Sequence, residues 1–144
     1  MIRKMRKTDI DRVADIWLDT NQKAHDFIPA SYWQDNFEEV KQMLLQAEVY
    51  VWEEKARIFG FAGSYGDYIA GIFVCGEAQS GGIGKELMAF LKERKETLKL
   101  NVYKKNIRAV RFYQREGFAI LSEDRDEATG EEEYCMGWSK SKTA

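Results

Sequence analysis

The stretch Gln79-Ser80-Gly81-Gly82-Ile83-Gly84-Lys85 decides how this chain is read. It follows an apolar, strand-like run, Tyr68–Val74, and opens directly into a helix-like run over 85–96. A glycine-rich turn between a strand and a helix leaves backbone N–H groups unpaired, with the positive end of the helix dipole behind them. Such a turn is an anion seat suited to a pyrophosphate. Its spacing argues against two familiar seats. A Walker loop needs Ser or Thr after Gly-Lys, but Glu86 follows Lys85, and Gln79 stands where the first glycine belongs. A nucleotide phosphotransferase is therefore disfavoured. A dinucleotide fingerprint fails because Leu87 occupies the place of the third glycine.

The 144 residues are most simply one domain, long enough to bury about two-thirds of the unfolded surface. A hydrophobic content of 44% with 13% aromatics describes a packed core rather than a disordered chain. No apolar stretch approaches the roughly 20 residues of a membrane span. The basic start over 3–7 lacks the apolar region of a signal peptide. Cys75 and Cys135 lie far apart with no metal or redox spacing, which reads as two reduced thiols in a cytoplasmic protein. No metal site is expected. The net charge of −2 hides an asymmetry: residues 84–115 hold ten Lys/Arg against three Glu, and residues 122–133 hold seven acids against one Arg. The basic third surrounds the glycine loop, as phosphates require. A nucleic-acid partner is the rival explanation, but the chain is mildly acidic overall and carries no nucleic-acid module.

The hydrophobic pattern predicts a strand over 2–5, then a helix opened by a Thr8–Asp11 capping box with Ile10, Val13, Ala14, Trp17 and Leu18 on one face. Residues 21–30 read as a loop or broken helix closed by Pro29. A second helix starts near Ser31, with Gln34 at its capping-box position and Trp33, Phe37, Val40 and Leu44 at helical spacing. Strands over 49–52, 58–65 and 68–74 follow, the last two joined at Gly66-Asp67. After the glycine loop, Ile83, Leu87, Phe90 and Leu91 give a third helix its apolar face. The next strand, Thr97–Tyr103, alternates Leu98, Leu100 and Val102 inward. Asn106 caps a fourth helix, Gly117 ends it, and 118–121 with 133–138 form a last hairpin. The order β-α-α-β-β-β-α-β-α-β-β implies an α/β fold, a mixed sheet with helices on both sides. One domain spans 1–138, and a polar tail spans 139–144.

Gln79, Gly82 and Gly84 carry the pattern Gln/Arg-x-x-Gly-x-Gly/Ala, which resembles the acyl-coenzyme A loop of the GCN5-related N-acetyltransferase (GNAT) superfamily. A second block, Asn106, Ala109, Phe112-Tyr113 and Gly117-Phe118, resembles that family's other signature at the expected spacing. The element order also matches. His25-Asp26-Phe27-Ile28 with Tyr32-Trp33 resembles a subgroup of small bacterial members.

The resemblance implies direct transfer of an acetyl group from acetyl-CoA to an amine of a small molecule or a protein. It implies that the strand before the loop splays from its neighbour, so that the backbone of Ile72, Phe73 and Val74 holds the pantetheine arm and the thioester carbonyl. Gln79, Ser80, Gly81 and the amides of Gly82, Ile83, Gly84 and Lys85 then take the pyrophosphate. Ser80 stands where the family more often has glycine. Asn106 touches the cofactor or only caps its helix. Tyr113 matches the family's general acid for the departing thiolate, and a backbone N–H near Phe73 or Val74 serves the oxyanion.

On the acceptor side, His25 is the sole histidine and a candidate base near neutral pH. Asp26 either orients it, attracts a cation or caps a turn. Tyr32, Trp17 and Trp33 are candidate pocket walls, although helical spacing favours core positions for the two tryptophans. The acidic hairpin suits a cationic acceptor if it overhangs the cleft, and is otherwise a solvated turn. It also offers a surface for a homodimer. The alternative to an enzyme is a non-catalytic acyl-CoA sensor or interaction domain that keeps the same seat.

Overall fold

The computed structural model describes residues 1–79 and 81–143. Seven strands form one mixed sheet in the order β1-β2-β3-β4-β5-β7-β6. They are β1 (Ile2–Lys4), β2 (Glu48–Glu54), β3 (Arg57–Tyr65), β4 (Tyr68–Val74), β5 (Thr97–Tyr103), β6 (Ala119–Arg125) and β7 (Glu132–Ser139). Five α-helices connect them: α1 (Ile10–Ala24), α2 (Ala30–Asp35), α3 (Phe37–Gln46), α4 (Ile83–Arg94) and α5 (Ile107–Arg115). The mixed α/β sheet matches the fold that the sequence implies. β7 runs through Ser139 into a 3-10 turn, Lys140–Thr143.

The first helix departs from expectation at both ends. Its entry is not a Thr8–Asp11 box, because Asp9 has the better position. The Arg6 N–H donates to Asp9 Oδ2 at 2.7 Å, and the Arg3 guanidinium clamps Asp9 and Glu53 together. Asp11 instead pairs with Lys41 on α3. At the far end, α1 continues through buried Thr20 and Asn21. Both polar side chains are satisfied within the helix: Thr20 Oγ1 donates to the Ile16 carbonyl at 2.6 Å, and Asn21 Nδ2 to that of Trp17 at 2.8 Å.

The expected second helix is two helices. Asn36 Nδ2 donates to the Tyr32 carbonyl at 2.7 Å, taking the acceptor that the helical ladder would use, and its backbone sits at φ −95°, ψ 0°. The ladder restarts with Val40 N–H on the Asn36 carbonyl.

The sheet separates two cores. On one face, Ile83, Leu87, Met88 and Leu91 of α4 and Val110 and Tyr113 of α5 pack on Leu98, Leu100, Val102 and Met136. On the other, Val13 and Ile16 of α1 and Leu44 of α3 pack on Val49, Val51, Ile58 and Phe61. Met88 takes the buried place expected of Phe90, which is half-buried against Tyr50 at 4.6 Å. Each fully buried aliphatic side chain stabilises by roughly 1.5–3 kcal/mol.

Among the described residues, β4 and β5 are the one parallel pair, and it is short. They pair only through Tyr68↔Lys99 and Ile69↔Leu100. Beyond that the register of β4 on β3 slips by one residue, leaving Ala70 as a bulge between Gly63↔Gly71 and Ser64↔Ile69. A bulge bends its strand and sharpens the local twist. β4 and β5 part there, and a cleft opens between them.

Candidate active site

The cleft has a volume of about 1110 Å³ and is bordered by β4 from Ala70 to Val74, the starts of α4 and α5, and the end of α1. The parting of β4 from β5 leaves the 70–74 edge without a strand partner on that side. Alternate backbone groups of an extended edge point outward, ready for an extended ligand. Ile72, Phe73 and Val74, expected at the seat, all border the cleft. Gly71 provides room for a side chain rather than for another backbone: a Cβ there would lie 2.3 Å from the Phe73 ring, which stacks on Phe61 at 4.9 Å.

At the end of that edge the chain turns through the glycine loop. Gly82 is the N-cap of α4, with φ +88°, a left-handed conformation that suits glycine. The first ladder bond of the helix is Glu86 N–H on the Gly82 carbonyl at 3.0 Å. The amides of Ile83, Gly84 and Lys85 therefore have no carbonyl within the helix to bond. A Cβ on Gly84 would lie 3.5 Å from the Phe112 ring, so this glycine lets α4 and α5 meet closely.

The Gln79 side chain has structural work. Its Nε2 donates to the Val74 carbonyl at 2.9 Å, and its Oε1 accepts from Arg108 at 2.8 Å, tying the end of β4 to α5. Gln79, Gly82, Ile83, Gly84 and Lys85 border the cleft, and Gly81 does not. The reading of Ser80 lies outside the described residues.

α5 supplies Asn106 and Tyr113. Asn106 Oδ1 accepts from the Ala109 N–H at 3.2 Å, so it is the N-cap that the sequence expects. Its Nδ2 meets His25 Nε2 at 3.0 Å. Because Asn106 spends its carbonyl on the cap, the amide must be the donor and Nε2 the acceptor. Tyr113 is 8% exposed and borders the cleft. Burial first, and neighbouring Tyr68 second, push its phenol up to about 12.

The acceptor side differs from the sequence expectation. His25 stacks on Trp33 at 5.3 Å and meets the edges of Phe27 and Tyr103 at 5.6 and 5.1 Å. Burial in this aromatic box pushes its imidazole down to about 4. This burial disfavours the charged imidazole, and in this arrangement Nε2 accepts from the Asn106 amide. Neither Asp26, which is exposed, nor Tyr32 borders the cleft, whereas the candidate walls Trp17 and Trp33 both do, and Trp33 is also buried as its helical spacing predicts. Tyr32 packs against Trp33 at 5.0 Å, and its phenol is raised by burial and by nearby Asp126 and Glu39.

Sequence reasoning missed Tyr68, Asn101, Tyr103 and Glu133, all of which border the cleft. A signal was present. With Leu98, Leu100 and Val102 turned inward, Asn101 and Tyr103 must face the other side of β5. Among the described residues, no helix is long and apolar enough to cross a membrane, and no group of three or more His, Cys, Asp or Glu is placed to hold a metal ion.

Comparison with known proteins agrees with this architecture. The family model for the acetyltransferase (GNAT) domain matches residues 18–136. The chain is 35% identical over 140 residues, 96% of each protein, to the peptidyl-lysine N-acetyltransferase YiaC of Escherichia coli K12. The solution structure of apo YjaB from Escherichia coli superposes with a TM-score of 0.85 at 23% identity, covering 96% of both chains. Salmonella typhimurium yncA, solved with its cofactor acetyl-CoA, gives 0.67 at 16% identity over 96% of this chain and 92% of its own. At those identities the two structures speak for the fold alone, but the family match and the YiaC relationship span nearly the whole sequence. This chain belongs to the GNAT acetyltransferase family and is an N-acetyltransferase.

Proposed function

We propose that the protein transfers the acetyl group of acetyl-CoA to the side-chain amine of a peptidyl lysine. The observation that carries this reading is the parting of β4 and β5 directly above the glycine loop, with Tyr113 bordering the same cleft. The residues present fit the cosubstrate. An unpaired strand edge suits the amides of a pantetheine arm, and the three N–H groups at the start of α4 that have no carbonyl within the helix suit a diphosphate. The lysine acceptor is supported by the relationship to YiaC, a peptidyl-lysine N-acetyltransferase. When bound, acetyl-CoA supplies an activated thioester carbonyl.

The chain's own residues then have distinct tasks. Backbone groups of Ile72, Phe73 and Val74 orient the acyl end, and a β4 N–H stabilises negative charge on the carbonyl oxygen. Gln79 and the 82–85 segment hold the diphosphate end. The acceptor attacks as the free amine, its ammonium proton having passed to solvent. As the C–N bond forms and the C–S bond breaks, Tyr113 donates its proton to the departing thiolate and is reprotonated by the one shed from the new amide nitrogen. The phenol is protonated at neutral pH and so available as a donor, and burial makes it a weak one. His25 is a positioning residue: it fixes the Asn106 amide, which caps the helix that carries Tyr113.

Thiol release from acetyl-CoA, followed with a chromogenic disulfide, tests the proposal on a lysine-containing peptide and its acetyl-lysine counterpart. Release with the first peptide alone is expected. Tight acetyl-CoA binding without acceptor-dependent release would contradict it.

A further inference from the structure

A row of polar side chains stands on the face of β5 opposite Leu98, Leu100 and Val102. Tyr68 Oη donates to Asn101 Oδ1 at 3.3 Å, and Asn101 Nδ2 donates to Glu133 Oε1 at 2.9 Å. All three border the cleft together with Tyr113. Burial first and the Glu133 charge second raise the Tyr68 phenol, and burial first and Tyr68 second raise that of Tyr113.

Most neighbouring carboxylates are occupied; Asp124, which faces Glu133 across the β6–β7 pair, accepts from the Arg125 N–H and makes no ion pair among the described residues. Lys104 pairs with Glu123 and Glu132, Lys105 with Glu131, and the Tyr103 hydroxyl donates to Asp126. Glu116, also at the cleft, pairs with Lys92. Glu133 is different. Among the described residues it makes no ion pair; one of its oxygens takes a neutral amide, and the other has no hydrogen-bond partner. Asn101 is fixed at both ends, by Tyr68 and Glu133, so the carboxylate is held in place while half-buried at the cleft wall.

We propose that Glu133 is a specificity-determining residue that receives the N–H groups of the acceptor amine and selects primary amines that are cationic in solution, of the lysine type. This rests on the acetyl-transfer reading above. The chemistry assigns binding rather than proton removal. A carboxylate is a far weaker base than a lysine-type amine, so direct proton transfer between them is strongly uphill. The contact outlasts proton loss, because an ammonium offers three N–H donors and a free amine still offers two, leaving its lone pair to point elsewhere.

The experiment compares Nα-acetyl-lysine methylamide with its norleucine counterpart, which lacks the amine. Each is titrated into the full chain with coenzyme A present, and the Asn101 side-chain amide resonance is followed by NMR. The wild type is expected to bind the lysine compound at least about tenfold more tightly, as a charge-assisted hydrogen bond gives. Glu133→Gln is expected to cut that preference below about threefold and raise the KM for the lysine compound about tenfold or more. The KM for acetyl-CoA stays unchanged, and Glu133→Asp retains the preference. Equal preference in wild type and Glu133→Gln, or no binding of either compound to the wild type, overturns the assignment. A binding preference without thiol release removes the acetyl-transfer reading and leaves Glu133 standing. Thiol release with an unchanged KM in Glu133→Gln does the reverse.

Discussion

Replacing Tyr113 by Phe removes one hydroxyl from a side chain that is 8% exposed, while its ring keeps its contacts with Phe112 and Phe118 at 5.3 and 5.8 Å. The phenol stands at about 12 in the fold, against about 8.5 for a thiol. Handing its proton to a thiolate is therefore about 5 kcal/mol uphill at equilibrium. So weak an acid works near the bottom of the range for general acid catalysis, about 100-fold at most. We expect Tyr113→Phe to lower kcat about 10- to 100-fold and to change the KM for acetyl-CoA less than about twofold.

The same substitution has a signature in stability. The unfolded phenol ionises near 10 and the folded one at about 12. Between those values the folded state binds more protons, so wild-type stability falls as pH rises through this window, by about 2 to 3 kcal/mol. Tyr113→Phe loses that contribution while sharing those of the remaining tyrosines. The assays are initial-rate thiol release at saturating acceptor and urea unfolding at pH 9 and pH 12. A kcat within twofold of wild type, in a variant whose melt at neutral pH is normal, refutes the proton-donor role.

Three further outcomes follow from the geometry. Gly82→Ala meets no atom within 4 Å but holds φ at +88°, so it costs about 1–2 kcal/mol of backbone strain. It should also raise the KM for acetyl-CoA while leaving kcat nearly unchanged, as kinetics at saturating acceptor will test. Asn106→Ala removes both the cap and the partner of His25. A loss of about 1–2 kcal/mol in urea unfolding is expected, and kcat should fall more than the affinity for coenzyme A. His25 sits at about 4 in the fold against 6.5 when free. The unfolded chain therefore takes up a proton first as pH falls, and the stability present above 6.5 is lost on the way down to 4. Allowing for partial solvent screening, the loss is about 1–2 kcal/mol. It should be absent from the melting curves of His25→Asn between pH 7 and pH 4.5.

The glycine loop and the alternation of β5 were legible because they depend on local spacing. Gly82 and Gly84 stand where the turn needs them, and Leu98, Leu100 and Val102 mark their face. Asn106 was legible as a cap for the same reason. The break at Asn36 was not, because it depends on whether one amide donates to the Tyr32 carbonyl or to solvent. Nor was the Asp9 entry of α1, where Arg3 brings in Glu53 from a strand about 50 positions away. His25 shows the limit most clearly. Its place between the helices was read correctly, but its protonation depends on Trp33 and Tyr103 closing around it, and Tyr103 comes from β5, far along the chain. Glu133 lay within an acidic run whose members look alike in sequence. Its place at the cleft wall, with Glu123, Glu131 and Glu132 turned to Lys104 and Lys105, singles it out.

The claim under everything else is that the free edge of β4 and the start of α4 together grip the thioester carrier. Amide hydrogen exchange with and without coenzyme A measures this directly. The account predicts marked slowing at residues 72–74 and 82–85, with β1 and β2 unchanged. Identical exchange at both segments, under coenzyme A concentrations that saturate the enzyme, would contradict it.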